Sequence, residues 1–217
     1  MLSINESSAH SSYDGFLLTA TKRFSRRFQV QANYILSTTY DDDSNERNFS
    51  RETTLNPFDL KSERAYSKQH IRHNINVNSL VRMPLGVTLS GIVIARSGLP
   101  FTPVIGTDQQ NDANDDNDWA IINNRVAGRN SMRQPSFLDL DLRIQKSFRF
   151  SDRRQLTVLA EGFNITKSAN RKFGVDGVSV YGPPAAPVAT AGQPLFAPST
   201  ARFGGQRQLQ LGARFAF

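Results

Sequence analysis

The strongest constraint in this chain is a side-chain alternation with period two. Leu138, Leu140, Leu142, Ile144, Phe148 and Phe150 interleave with Asp139, Asp141, Arg143, Gln145, Ser147 and Arg149, and only Lys146 breaks the apolar row. Successive side chains of a β-strand point to opposite faces, so this segment reads as a strand with one apolar and one polar side. The order returns elsewhere. Phe28, Val30, Ala32, Tyr34 and Leu36 alternate with Gln29, Gln31, Asn33 and Ser37, with Ile35 out of step. Ile71, Ile75, Val77, Val81 and Met83 alternate with Arg72, Asn74, Asn76, Asn78 and Arg82, and His73 and Ser79 fall on the apolar side. At the end of the chain Leu209, Leu211, Ala213, Phe215 and Phe217 alternate with Gln208, Gln210, Gly212, Arg214 and Ala216. Weaker alternation covers 13–24, 87–96 and 155–166. About seven strands result, each near or above the roughly 9–11 residues of a tilted membrane-crossing strand, where soluble strands average nearer five or six.

Two-faced strands of this length need two different surroundings. A soluble β-sandwich serving binding or adhesion supplies a dry interior and water; a membrane barrel supplies lipid and a polar lumen. Connections separate the two. Short turns near 25–26, 84–86 and 151–154 alternate with long polar stretches at about 41–69, 98–136 and 167–204, longer than the roughly 12–15 residues usual in compact domains. Phe24, Phe28, Phe148, Phe150, Phe215 and Phe217 all fall by the short turns, where an interfacial aromatic girdle belongs. The expected fold class is therefore all-β, an antiparallel transmembrane β-barrel of which about seven strands are present, in an outer membrane. Composition excludes other classes. With 38% hydrophobic and 21% charged residues the chain is too apolar for wholesale disorder. No run approaches the roughly 18 apolar residues of a spanning helix, and the absence of Cys removes disulfide frameworks and thiolate chemistry. The net charge of +7 raises nucleic-acid binding, but the basic residues are scattered as Lys22-Arg23, Arg26-Arg27, Arg153-Arg154 and single positions. No basic stripe is expected, and no nucleic-acid partner. Residues 1–7 lack the basic and apolar regions of an export signal.

Several segments occur in a familiar order: Arg96-Ser97-Gly98-Leu99-Pro100-Phe101-Thr102, an Asp/Asn-rich loop, Gly128-Arg129-Asn130, and Leu138 through Lys146. Ala160-Glu161-Gly162-Phe163-Asn164 and the closing 208–217 follow. The chain resembles the end of a TonB-dependent outer-membrane transporter barrel, nearest the Oar-like branch, whose members resemble carboxypeptidase-regulatory-domain receptors. The resemblance implies 13–217 as the C-terminal part of that barrel and 1–12 as the tail of an extracellular loop. It also implies a parent barrel of about 22 strands, a plug domain, and contact with TonB through N-terminal parts absent from this sequence. The expected function is active transport by the whole receptor, with this segment as wall, lumen lining and assembly signal.

Candidate sites follow from faces and resemblance. Leu209, Leu211, Ala213, Phe215 and Phe217 face lipid and, by resemblance, carry the signal read by the barrel-assembly machinery. Asp139, Asp141, Arg143 and Glu161, with Arg149, line the lumen; pairing across strands or with a plug is the leading expectation for them, and ligand contact the other. Asp112 to Asp118 place oxygen side chains at alternate positions, as calcium loops do, but lack the Gly at the sixth position, and Asn123 stands where a bidentate Glu belongs. A solvated acidic loop is expected there and at Asp41-Asp42-Asp43. His70 and His73 would point to opposite faces, a spacing unsuited to one metal, so polar contacts are expected of them. Neither a nucleophile elbow nor a His-Glu-x-x-His sequence occurs, so no enzyme, metal or cofactor is expected.

Overall fold

The computed structural model describes residues 8–43, 59–104, 108, 111, 118–122, 125–170 and 206–217. Along the chain run β1 (Ser11–Ser25), β2 (Phe28–Asp41), β3 (Ala65–Tyr66), β4 (His73–Arg82), β5 (Val87–Arg96), β6 (Pro100–Phe101), β7 (Ile121–Ile122), β8 (Arg125–Val126), β9 (Met132–Arg133), β10 (Phe137–Arg149), β11 (Gln155–Phe163) and β12 (Gln208–Ala216). The seven long strands form one sheet in the order β1-β2-β4-β5-β10-β11-β12, and each neighbour is antiparallel. The shortest of them has 9 residues and the longest 15. β3 adds a two-residue pair at the far end of β2, and β6–β9 and β7–β8 form two small ladders.

Register keeps the two faces apart across all seven strands. On one face Ala20 stands opposite Ala32, Ala32 opposite Val77, Val77 opposite Val93, and Val93 opposite Leu140. A second apolar row runs Phe28, Val81, Leu89, Ile144, Ala160, Leu211. The other face runs Thr19, Asn33, Asn76, Ile94, Asp139 in one row and Ser90, Arg143, Glu161, Gln210 in another. A slip of one residue anywhere would exchange the faces, so the burial preference of the apolar rows sets the pairing. The out-of-step Ile35 has its own reason: it stands opposite Leu17, another apolar residue on the polar face.

Nothing among the described residues covers the apolar face. Phe16, Leu18, Ile144 and Phe148 are exposed, and Leu211 is 84% exposed. The buried hydrophobic residues among those described are Trp119, Ala120 and Ala127, none of which belongs to the seven long strands. A sandwich would bury these leucines and phenylalanines against a second sheet, and no such layer is present among the described residues. The exposed rows are those of a sheet whose apolar side meets a non-aqueous neighbour. The sheet is part of a barrel that is not closed: β1 and β12 are its two edges, and with seven successive antiparallel strands they run in the same direction. An antiparallel barrel therefore needs an odd number of further strands, because an edge left unpaired in lipid would strand its backbone amides.

Short connections gather at one end of the sheet, at 26–27, 83–86 and 150–154, and long ones at the other. The first hairpin corrects one expectation. The register shifts between Lys22 and Ser25, so Ser25, not Phe24, stands opposite Phe28 and the turn is Arg26-Arg27. This bulge turns Phe24 out of the aromatic girdle: it lines the concave polar side and lies against the Arg82 guanidinium, 4.4 Å from ring centre to Cζ.

Candidate functional site

The sheet curls so that its polar face is concave, leaving a cavity of about 610 Å³. Strands β1, β2 and β4 contribute Thr21, Gln29, Gln31 and Asn78, while β10 and β11 contribute Asp141, Arg143 and Glu161. Of the lumen candidates, Arg143 and Glu161 meet across the β10–β11 ladder at 3.5 Å. The Asp141 carboxylate accepts the Asn164 amide at 2.9 Å and so fixes the chain where it leaves β11. Asp139 stands nearer the long connections and keeps its Oδ1 buried without a hydrogen bond. Arg149 is exposed at the short-turn end, outside the lining of the cavity. A wall with the Gln29, Gln31 and Asn78 amides and the Arg23 cation on one side, and Asp141, Arg143 and Glu161 on the other, can hold polar groups, water or protein.

The long-connection end holds a second polar assembly. The Arg129 guanidinium donates to the Asp41 backbone carbonyl and to its carboxylate, the latter at 2.5 Å, and to the Glu63 carbonyl at 2.7 Å. Asn130, 2% exposed, donates its backbone amide to the Thr102 hydroxyl at 2.9 Å and its side-chain amide to the Tyr66 carbonyl at 2.7 Å. The Asp42 carboxylate accepts from Arg64 at 3.2 Å and from the His10 amide at 3.0 Å. Gly98 makes the close approach possible, because a Cβ there would lie 1.7 Å from the Gln134 carbonyl oxygen. The neighbouring Gln134 amide donates to the Leu99 carbonyl at 2.8 Å.

Asp41 and Asp42 are thus not part of a solvated acidic run, and Asp43 alone of the three is exposed. Asp41 and Asp42 are 7% and 4% exposed, and a buried carboxylate persists only when paired and hydrogen-bonded. Its partners come from 22 and 88 residues away, which local charge patterning does not show. Arg129, Asn130 and Thr102 had only their place in the resemblance to draw attention to them. The histidines take structural contacts, as expected. His70 is fully buried, stacked on Tyr66 at 4.5 Å, and its Nδ1 accepts the Thr39 amide at 3.2 Å. Tyr66 stacks in turn on Tyr40 at 4.8 Å. Burial, aided by Arg133 and Arg72, lowers the His70 pKa to about 4, so the imidazole is neutral at physiological pH. The His73 Nδ1 hydrogen-bonds the Tyr34 hydroxyl at 2.9 Å. Residues 112–117 of the acidic loop lie outside the described residues.

Strand β12 is an edge, held on one side by β11. Leu209, Leu211, Ala213 and Phe215 stand in its apolar row, in register with Gly162, Ala160, Val158 and Leu156. Phe217 follows at 94% exposure, its ring 6.2 Å from that of Phe215. Asn170 secures the start of β10 by donating to the Leu138 carbonyl and accepting its amide, at 2.8 and 2.9 Å.

Comparison with known proteins agrees with this geometry. A family model described as "Outer membrane beta barrel domain" matches residues 1–127. Neither a curated protein nor a solved structure matches the chain.

Proposed function

The chain belongs to the outer membrane beta barrel domain family and its place is the outer membrane, and from that premise we propose that it forms part of the wall of a TonB-dependent active transporter of the Oar-like branch. The supporting observation is where the family-like segments lie. Arg96 to Thr102 and Gly128-Arg129-Asn130 are far apart in sequence, yet Asn130 bonds Thr102 and Arg129 bonds the end of β2. Together they tie the long connections down at the rim where an external ligand would enter.

The division of labour follows the two faces. The apolar rows meet outer-membrane lipid, and the concave face carrying Asp139, Asp141, Arg143 and Glu161 meets a plug domain of the same receptor. Work is done elsewhere: TonB acts on the plug, and this segment contributes wall, lumen lining and, in Leu209, Leu211, Ala213, Phe215 and Phe217, the signal for the barrel-assembly machinery. The reading assigns no catalytic step, metal or cofactor to these residues. Two measurements test it. The reading frame upstream of Met1 is expected to encode a plug and an export signal. In the source cell, cross-linking is expected to join TonB to the polypeptide that carries this sequence, and ligand uptake through it to stop when TonB is removed. Passive conductance that is indifferent to TonB would overturn the transporter reading and leave the barrel assignment intact.

A further inference from the structure

Sequence order scatters the basic residues, and folding collects them at one rim. The turn at 26–27 carries Arg26 and Arg27, and the turn at 150–154 carries Arg153 and Arg154. Both turns join antiparallel neighbours at the same end of the sheet. All four arginines are exposed, and none is in an ion pair with a carboxylate among the described residues. Asp152 is the single acid within these turns. No continuous basic stripe forms, as the sequence leads one to expect, but the two arginine turns share one rim.

Two lysines extend this rim onto the apolar face. Lys22 and Lys146 stand in the apolar rows, opposite Val30 and Val158, and each is half-buried. The Lys22 ammonium lies 4.0 Å from the centre of the Phe28 ring and donates to the Ser25 carbonyl and hydroxyl at 3.1 and 2.7 Å. The Lys146 ammonium lies 5.0 Å from the Phe148 ring centre. Both cations thus sit beside rim aromatics, the posture of lysines that bury their stems and keep their charge at a membrane surface.

Backbone geometry gives an independent observation. Arg26 and Arg27 have φ of 48° and 75°, the left-handed pair of a two-residue hairpin turn that favours Asn-Gly. Arginine at both positions is strained, so the turn itself does not ask for these residues. In the intervening turn Leu85 is also left-handed, with φ of 62°, and is 85% exposed.

We infer that this short-turn rim is a binding surface for the phosphate groups of anionic phospholipids in the periplasmic leaflet. Short turns lie on the periplasmic side of such barrels, and unpaired guanidinium groups there match phosphate in charge and hydrogen-bonding geometry. A lipid fits better than a soluble acidic protein, because Lys22 and Lys146 belong to the hydrocarbon-facing rows. The arginine turns are also spread along the rim by about 19 Å, four strand spacings, rather than forming one compact patch.

The test uses the full chain and vesicles of phosphatidylcholine alone or mixed equally with phosphatidylglycerol, with partition read by flotation. Each cation near an anionic surface contributes about fivefold, so a preference of at least about tenfold for the mixed vesicles is expected, falling as salt rises. The combined variant Arg26→Asn, Arg27→Gly, Arg153→Gln, Arg154→Gln should lose most of it. Its first turn then has the residues the geometry favours, so folding is retained, as β-sheet circular dichroism checks. Lys22→Gln with Lys146→Gln should lose a smaller share. Equal partition of the unaltered chain would overturn the inference, and so would an undiminished preference in the folded arginine variant. Polyglutamate binding by the detergent-solubilised chain that vanishes in the arginine variant, with phosphatidylglycerol preference intact in the lysine variant, would reassign the rim to a soluble acidic partner.

Discussion

The two ends of this sheet use the same charged residue types in opposite ways. At the long-connection end charges are buried and matched: Arg129 and Asp41 have side chains 8% and 10% exposed and meet at 2.5 Å, and Asp42 is held by Arg64. At the short-turn end the arginines are exposed, unmatched by acids among the described residues and accompanied by Phe28, Phe148, Phe215 and Phe217. The difference teaches where each charge finds its counter-charge. A buried guanidinium must have its carboxylate in the same molecule, since desolvation without a partner is prohibitive, whereas an exposed one remains available to an outside anion.

The contrast can be broken first at its buried end. Arg129→Ala removes the buried guanidinium that holds the Asp41 carboxylate and the Glu63 carbonyl and should cost about 3–5 kcal/mol. Hydrogen exchange should show 59–72 and 125–133 losing protection while the β10–β11 ladder keeps its own; uniform protection throughout would mean that Arg129 does not hold this end together. Next comes the division between faces. Ile144→Arg places a charge in the middle of an apolar row and should destabilise the protein in lipid by about 2–4 kcal/mol. Gln145→Arg, one residue along on the polar face, should leave urea unfolding nearly unchanged, and equal effects would contradict the two-faced sheet.

A smaller and local effect concerns pH. Buried His70 has a folded pKa near 4, below the ordinary 6.5. The unfolded chain therefore takes up the proton first, and the stability that neutral His70 provides is complete above pH 6.5 and is lost progressively as the pH falls toward 4. Protection of the Thr39 amide, which donates to the His70 Nδ1, should fall over that window. The short-turn end has no such group and should not respond. The smallest change is expected from Arg26→Asn with Arg27→Gly, which relieves left-handed strain and should raise hairpin stability by about 1 kcal/mol. A loss of stability instead would show that the arginines, rather than the turn geometry, hold the hairpin.

Much of the architecture was legible before the fold was seen. The apolar rows from Leu138 to Phe148, Phe28 to Leu36 and Leu209 to Phe215 all lie on one face, because alternation is a property of the strand itself. Even the exceptions were informative, since Lys146 broke its row at the place where the sheet meets the rim. Phe24 was misplaced because a bulge has no signature in the alternation of its own strand. The acidic triplet was misread because Asp41 was judged by its neighbours, whereas its surroundings are set by Arg129, 88 residues away.

Sequence by itself determined that there are long two-faced strands, roughly where they turn, and that their apolar side requires a non-aqueous neighbour. The cause is steric and local: a pleated chain sends alternate side chains to opposite sides whatever lies beyond it. Tertiary structure alone decided which charges are neutralised and which are left exposed at a rim. Hydrogen-bonded register brings together residues that no local pattern relates, and the solvation of each charge depends on that company.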